Sequence, residues 1–190
     1  MRSHFHCLAA VVVLLSLAPV EASAPVRGIV GQPAPSWDGV RSWANLPDGV
    51  TTLDVSDFAG DVVYLFAFQS WCPGCHSHGF PTLEAVAREL ADEPDVHFVA
   101  VQTVFEGFQV NTEPKALSSV RQFDLDIPVG HDPGPKGGRS TILDHYRTGG
   151  TPWTALIDRE GRVRFNDFSI RSPEAIALVR ELLAEPRPDR

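Results

Sequence analysis

The sequence predicts an α/β fold in which helices flank a central mixed β-sheet. Three observations carry this reading. The continuous apolar run Val62–Phe68 has the composition of a strand buried on both faces, and residues 96–101 read as a second buried strand. Between them, Leu83, Val86, Ala87 and Leu90 fall on one helical stripe. Near the end, Asp158-Arg159-Glu160-Gly161 turns one strand, residues 152–157, back into another, residues 163–165. Strands alternating with helices imply a sheet with helices on its faces, and the closing hairpin makes that sheet mixed.

The chain begins with a segment that does not belong to this fold. Arg2, His4 and His6 precede an apolar stretch at residues 8–18, broken only by Ser16. Pro19 follows, and Ala22-Ser23-Ala24 has the small-x-small form of a cleavage site, so residues 1–24 read as a secretory signal peptide. The stretch is about half as long as a membrane span requires. Cys7 lies ahead of it and is expected to leave with the leader.

Residues 25–190 then form one domain. Residues 24–53 are rich in Pro, Gly and Trp, and Gly31-Gln32-Pro33-Ala34-Pro35 reads as extended, turn-rich chain rather than helix. After Val62–Phe68 and the cysteine pair comes the helix of residues 82–90, then the strand of residues 96–101. A helix is expected over 114–123 and a short extended piece over 127–129. Residues 130–138 (GHDPGPKGG) read as a mobile Pro/Gly loop, and Ser140 as the cap of a short helix through Tyr146. Ser172-Pro173-Glu174 reads as cap, then proline at the first helical position, of a helix reaching about Ala184.

Composition narrows the function. The chain has 190 residues, 43% of them hydrophobic and 21% charged, enough apolar material for one real core. A net charge of -8 argues against nucleic acid, because a polyanion needs a basic face. Removing the leader takes three cysteines to two, in Trp71-Cys72-Pro73-Gly74-Cys75. A bridge between them would close a tiny loop and constrain the unfolded chain little, which disfavours a structural staple.

The pair instead has the makings of a redox dithiol. At i and i+3 on a helix's first turn, the two thiols lie on one side, at a separation suited to a reversible disulfide. Unpaired N–H groups and the positive end of the helix dipole favour thiolate over thiol. Thiolate is the species that attacks a disulfide. Cys72, further out on the turn, is the expected nucleophile, and Cys75, one turn deeper, the resolving thiol. Trp71 can cover the pair and shape the approach. Pro73 and Gly74, between the cysteines, are expected to bias the reduction potential. His76 reads as a helix-surface side chain, and His78, three residues after Cys75, as a modulator or proton shuttle for it.

With these segments in place, the chain resembles the thioredoxin superfamily, in particular its TlpA/ResA-type extracytoplasmic members with a redoxin (AhpC/TSA-like) domain. Gly31-Gln32-Pro33-Ala34-Pro35 is similar to the family opening, and residues 68–75 to the strand-to-helix active site. Pro81 matches the kink proline of the first long helix, Gly150-Thr151-Pro152 the cis-proline loop, and residues 156–161 the hairpin after it. The resemblance covers roughly residues 31–184. It implies a thioredoxin-like fold, thiol–disulfide oxidoreductase activity without a cofactor, and an exported location, periplasmic or extracellular. It implies a cis peptide bond before Pro152, with Thr151 presenting backbone groups to an extended substrate. Substrates would be protein thiols or disulfides, served by a redox donor or acceptor protein that the sequence does not identify. A membrane is involved only if the leader stays uncleaved.

The chain departs from the family pattern in five places. Phe66 stands where thioredoxins carry a buried acid, six residues before the first cysteine. His78 stands where some relatives have a glutamate. Pro81 comes six residues after Cys75 rather than five, which predicts a one-residue bulge. Trp153 is bulkier than the usual threonine and either narrows the substrate groove or belongs to the core. Pro-Gly between the cysteines is not the Gly-Pro of reducing thioredoxins. Two other functions compete. A peroxiredoxin-like peroxidase would want Thr where Gln69 stands. A copper-binding metallochaperone would use Cys72, Cys75 and a histidine for a soft ion, although such proteins space their cysteines more widely.

Overall fold

The computed structural model describes residues 27–188; the expected leader, residues 1–24, lies outside them. Its strands are β1 (Ser42–Ala44), β2 (Val62–Phe68), β3 (Val96–Thr103), β4 (Val129–Asp132), β5 (Trp153–Ile157) and β6 (Val163–Asp167). Its helices are α1 (Phe80–Glu89), α2 (Glu113–Arg121), α3 (Thr141–His145) and α4 (Ser172–Ala184). One sheet runs in the order β1-β4-β3-β2-β5-β6. β3 is parallel to both β2 and β4, and the remaining pairs are antiparallel, so the sheet is mixed.

β2 is central because all seven of its residues are buried. Alternate side chains go to opposite faces of a strand. Val62, Tyr64, Phe66 and Phe68 meet Leu83 and Val86 of α1, Val120 of α2 and Val179 of α4. Val63, Leu65 and Ala67 meet Trp37, Ile142 of α3 and Tyr146. The first face holds an aromatic cluster beneath the cysteines. The Phe80 ring stands edge-on to Phe66 and Phe68, at 5.0 and 4.8 Å, and stacks on Phe123 at 4.8 Å. Trimming a ring buried in this way to Ala typically costs about 3–5 kcal/mol.

Within the Pro-, Gly- and Trp-rich opening, Ser42–Ala44 pairs with β4 as an edge strand. Three local expectations need correction. The extended piece lies at Val129–Asp132 instead of 127–129, so Gly130, His131 and Asp132 belong to the sheet and not to a loop. Gly130 is needed there, because a Cβ would sit 2.6 Å from Val40 Cγ1 and 3.1 Å from the Trp43 ring. The buried Asp132 carboxylate anchors the two ends of the remaining loop. It accepts from Gly134 N at 3.0 Å, Ser140 Oγ at 2.6 Å, Thr141 Oγ1 at 2.9 Å and Ile142 N at 2.9 Å. Finally, α4 is capped at Arg171, not Ser172, and the Arg171 side chain reaches forward to Glu174 at 3.0 Å. Ser140 does cap α3, accepting from Leu143 N.

Candidate active site

β2 carries the chain to the carboxyl edge of the sheet, the usual place for a site in an open α/β sheet. Gln69, Ser70 and Trp71 turn it there, with Cys72 N donating to Gln69 O at 3.1 Å. Pro73 opens the helix, a position where its fixed φ fits and its missing N–H costs nothing. The Cys72 sulfur then does what a capping side chain does: Cys75 N donates to it at 3.2 Å. Cys72 is 7% exposed and Cys75 fully buried, so an incoming group meets Cys72 first. Both are free thiols.

The helix is interrupted by a π-turn at Cys75–Gly79 before continuing as α1. This is the bulge predicted from the extra residue ahead of Pro81. A π-turn absorbs one additional residue without breaking the helix. Gly79 fits because its Cα faces the Phe66 ring and Pro152: a Cβ would lie 2.6 Å from Phe66 Cζ and 2.9 Å from Pro152 Cβ. The place of the family's buried acid is thus filled by an aromatic ring with no polar atom.

The two thiols are driven apart in acidity. The Cys75 S–H donates toward Cys72, and this bond draws the Cys72 thiol down to about 6 despite partial burial. The Thr151 hydroxyl and the N–H groups of Cys75 and Gly74 act in the same direction. The Thr151 carbonyl lies 3.6 Å from the sulfur and can accept from its protonated form. Burial, and then the bond it gives to Cys72, push the Cys75 thiol well above the ordinary range. One sulfur is therefore a thiolate at neutral pH and the other a thiol, the division of labour that dithiol exchange requires.

Thr151 and Pro152 face this pair from the loop before β5, and their peptide bond is cis. Gly74 packs against Pro152, where a Cβ would lie 3.3 Å from Cδ. Trp71 is 45% exposed and lies over Gly107. Pro73 is exposed and Gly74 half-buried. His78 is placed away from the role expected of it: it is exposed, and its Nδ1 pairs with Ser77 Oγ at 2.7 Å. Trp153 belongs to the core, buried, hydrogen-bonded through Nε1 to Asn166 and edge-on to Phe168 at 4.9 Å.

Two contributors escape sequence reasoning. His76 is half-buried, its Nε2 paired with Ser70 O at 2.8 Å and its ring 5.5 Å from Phe80. Asn111, far along the chain, hydrogen-bonds to Gln69 and Ser70. The first has a signal, since His76 follows Cys75 directly; the second has none. Among the described residues, no group of three or more His, Cys, Asp or Glu side chains is arranged to hold a metal ion.

A mixed sheet of this topology, with a cis-proline loop facing a Cys-x-x-Cys at a helix start, defines the thioredoxin-like class of thiol–disulfide oxidoreductases. Residues 29–175 match the Redoxin family model, and the chain belongs to that family. It is similar to a solved thioredoxin-like superfamily protein, 30% identical over 82% of this chain and 99% of that one, with a TM-score of 0.71. A solved thiol-disulfide isomerase from Corynebacterium glutamicum is 33% identical over 77% and 94%, with a TM-score of 0.67. The thiol-disulfide oxidoreductase ResA of Bacillus cereus is 28% identical over 111 residues; the match spans 58% of this chain and 57% of that protein.

Proposed function

We propose that this protein is an exported enzyme of thiol–disulfide exchange acting on protein cysteines. The observation that carries the proposal is the acidity split within one turn, with the slightly exposed Cys72 held near 6 and the fully buried Cys75 kept as a thiol beneath it. The Cys72 thiolate attacks a substrate disulfide, forming a mixed disulfide and releasing one substrate thiolate. Cys75 then gives up its proton and attacks Cys72 Sγ. The Cys72–Cys75 disulfide forms, the second substrate thiol leaves, and two electrons have passed to the substrate. The reverse sequence oxidises a substrate dithiol.

A protein substrate suits the surroundings. Small-molecule sites are typically enclosed cavities, whereas a cavity of about 790 Å³ among the described residues lies away from Cys72, lined by the turn at residues 55–61 and the hairpin at 157–161. Cys72, 7% exposed, instead reaches the surface beside the exposed Trp71 ring. Once Cys72 is a thiolate it no longer donates to the Thr151 carbonyl, which can then pair with an extended peptide, as in strand addition. Trp71, Thr151 and Pro152 are the substrate-facing residues, and Pro73 and Gly74 tune the pair. The leader at residues 1–24 supports export, and among the described residues no helix is long and apolar enough to cross a membrane.

The test is redox titration with thiol trapping, alongside exchange with a dithiol protein. The proposal expects an intramolecular Cys72–Cys75 disulfide under mild oxidant and loss of exchange in Cys72→Ser. It fails if the disulfide does not form, or if Cys72→Ser still exchanges. The same titration gives the direction of flow: about −270 mV marks a reductant like thioredoxin, and about −120 mV an oxidant like DsbA.

A further inference from the structure

The turn that presents Cys72 is held from outside its own strand and helix. Asn111 lies at the end of the loop that follows β3, 39 residues beyond Cys72 in sequence, yet it is only 2% exposed. Its Oδ1 accepts from Ser70 N at 2.9 Å and from Ser70 Oγ at 3.0 Å. Its Nδ2 donates to Gln69 Oε1 at 2.8 Å, to Glu106 O at 3.0 Å and to Gly107 O at 3.3 Å. One carboxamide therefore joins the active-site turn to its own loop, and it uses both ends to do so. Ser70 Oγ, which has one hydrogen to share between the two acceptors, also lies 3.1 Å from Val110 O. Gly107, in the same loop, lies under Trp71, where a Cβ would sit 2.9 Å from Nε1.

The turn so held touches both cysteines. Gln69 O takes the Cys72 N–H, which fixes the direction in which the chain enters the helix. That direction decides whether the Cys75 N–H points at Cys72 Sγ, as it does at 3.2 Å. His76 Nε2 meets Ser70 O from the helix side, so Ser70 is gripped by side chains from two elements. Buried polar side chains are retained when each atom is satisfied and are costly when it is not. Asn111 satisfies the Ser70 N–H from outside β2 and the helix.

We propose that Asn111 is a positioning residue for the dithiol: it holds the Gln69–Ser70 turn in the one geometry that aims the helix N–H groups at Cys72 Sγ. This inference rests on the exchange reading for its purpose, but not for its test. Thiolate formation is measured in the isolated reduced protein, without any substrate. A protein that fails to exchange disulfides would sink the function while leaving this measurement intact.

The experiment follows Cys72 alkylation by iodoacetamide against pH in reduced wild type, Asn111→Ala, Ser70→Ala and Phe108→Ala, with thermal unfolding alongside. Phe108 sits exposed in the same loop and serves as the control for general loop disturbance. Releasing the turn should move the pH midpoint of Asn111→Ala upward by about one pH unit, slowing alkylation about fivefold at pH 6. Ser70→Ala, which removes only the hydroxyl bonds, should move it less and in the same direction. Phe108→Ala should leave it in place. A lower unfolding temperature with an unchanged midpoint in Asn111→Ala would make the residue merely structural and overturn the proposal. If Asn111→Ala does not fold, Ser70→Ala decides: an upward shift supports the positioning role, and no shift overturns it.

Discussion

β2 has two ends, and they are built on opposite plans. At the Val62 end lies the large cavity, rimmed by Asp57, Asp61, Arg159 and Arg187, with ion pairs Arg187–Asp61 at 2.9 Å and Arg159–Asp95 at 3.2 Å. At the Phe68 end there is little cavity and no comparable ring of charge around Cys72 among the described residues. There the chain spends its buried polar groups on Gln69, Asn111 and backbone N–H groups. The two ends are about 20 Å apart along a strand of this length. The contrast teaches that concavity and charge do not mark the chemistry here. What marks it is one sulfur at a helix start with hydrogen bonds aimed at it.

The strongest way to break the comparison is to remove that sulfur. Cys72→Ser should abolish exchange, a loss of several orders of magnitude, because an alcohol at this position is not ionised at neutral pH and does not attack a disulfide. Cys75→Ser should leave the first attack and stall afterwards. A mixed disulfide between Cys72 and the substrate should then accumulate, visible as a mass adduct that dithiothreitol removes. If Cys75→Ser turned over normally, the assignment of attacking and resolving thiols would be wrong.

Packing at the Phe68 end gives the next largest effect. Gly79→Ala keeps an allowed backbone but drives a methyl into the Phe66 ring and Pro152, both well inside contact distance. Overpacking of this kind costs about 1–3 kcal/mol, so urea unfolding should show a lower midpoint. Because Pro152 must yield, exchange should also slow. A neutral result on both counts would mean that the π-turn relaxes to admit the methyl.

Much of this arrangement is legible in the sequence, for identifiable reasons. β2, β5, α1 and the cysteine turn announce themselves through local composition: an unbroken apolar run, a helical stripe, a Cys-x-x-Cys. The extra residue before Pro81 even betrays the π-turn. β1 is hidden because three residues in a Trp- and Pro-rich segment carry no period. β4 is hard to place because Gly, His and Asp are not strand formers by composition, and each is there for a tertiary reason: Gly130 makes room for Trp43, His131 pairs with Gln102 at 2.7 Å, and Asp132 anchors α3. Asn111 cannot be found this way, since one asparagine in a polar loop says nothing about the turn it will meet. His78 misleads for a related reason. The π-turn changes which residues share a helix face, and the residue three after Cys75 ends up in solvent.

The pH dependence sharpens the contrast further, at moderate size. Cys72 has a folded value near 6, below the ordinary thiol value of about 8.5. Its thiolate thus stabilises the reduced fold. That contribution is fully present above about pH 8.5 and is lost as pH falls through about 6. Cys75, shifted upward, stays protonated in the fold across this window and opposes the rise only toward about pH 8.5, where its unfolded form begins to ionise. The unfolding temperature of the reduced protein should rise between pH 6 and 8.5 relative to that of the oxidised protein, which lacks both thiols. A constant difference between the two forms would mean that Cys72 titrates normally.

The smallest effect belongs to the other end of the strand. Arg187→Ala removes the pairs with Asp61 and Asp95, but Arg187 is half exposed and near the end of the described chain. Exposed ion pairs gain little, because water and salt already screen both partners and ordering a long side chain offsets the attraction. Asp95, which Arg187 holds below the usual carboxylate range, still has Arg159 beside it. The substitution should therefore leave the exchange rate, the Cys72 pH midpoint and the reduction potential unchanged. Any loss of unfolding temperature should disappear in high salt. A change in the rate or the midpoint would mean that the two ends communicate through β2, and the separation drawn between them would have to be abandoned.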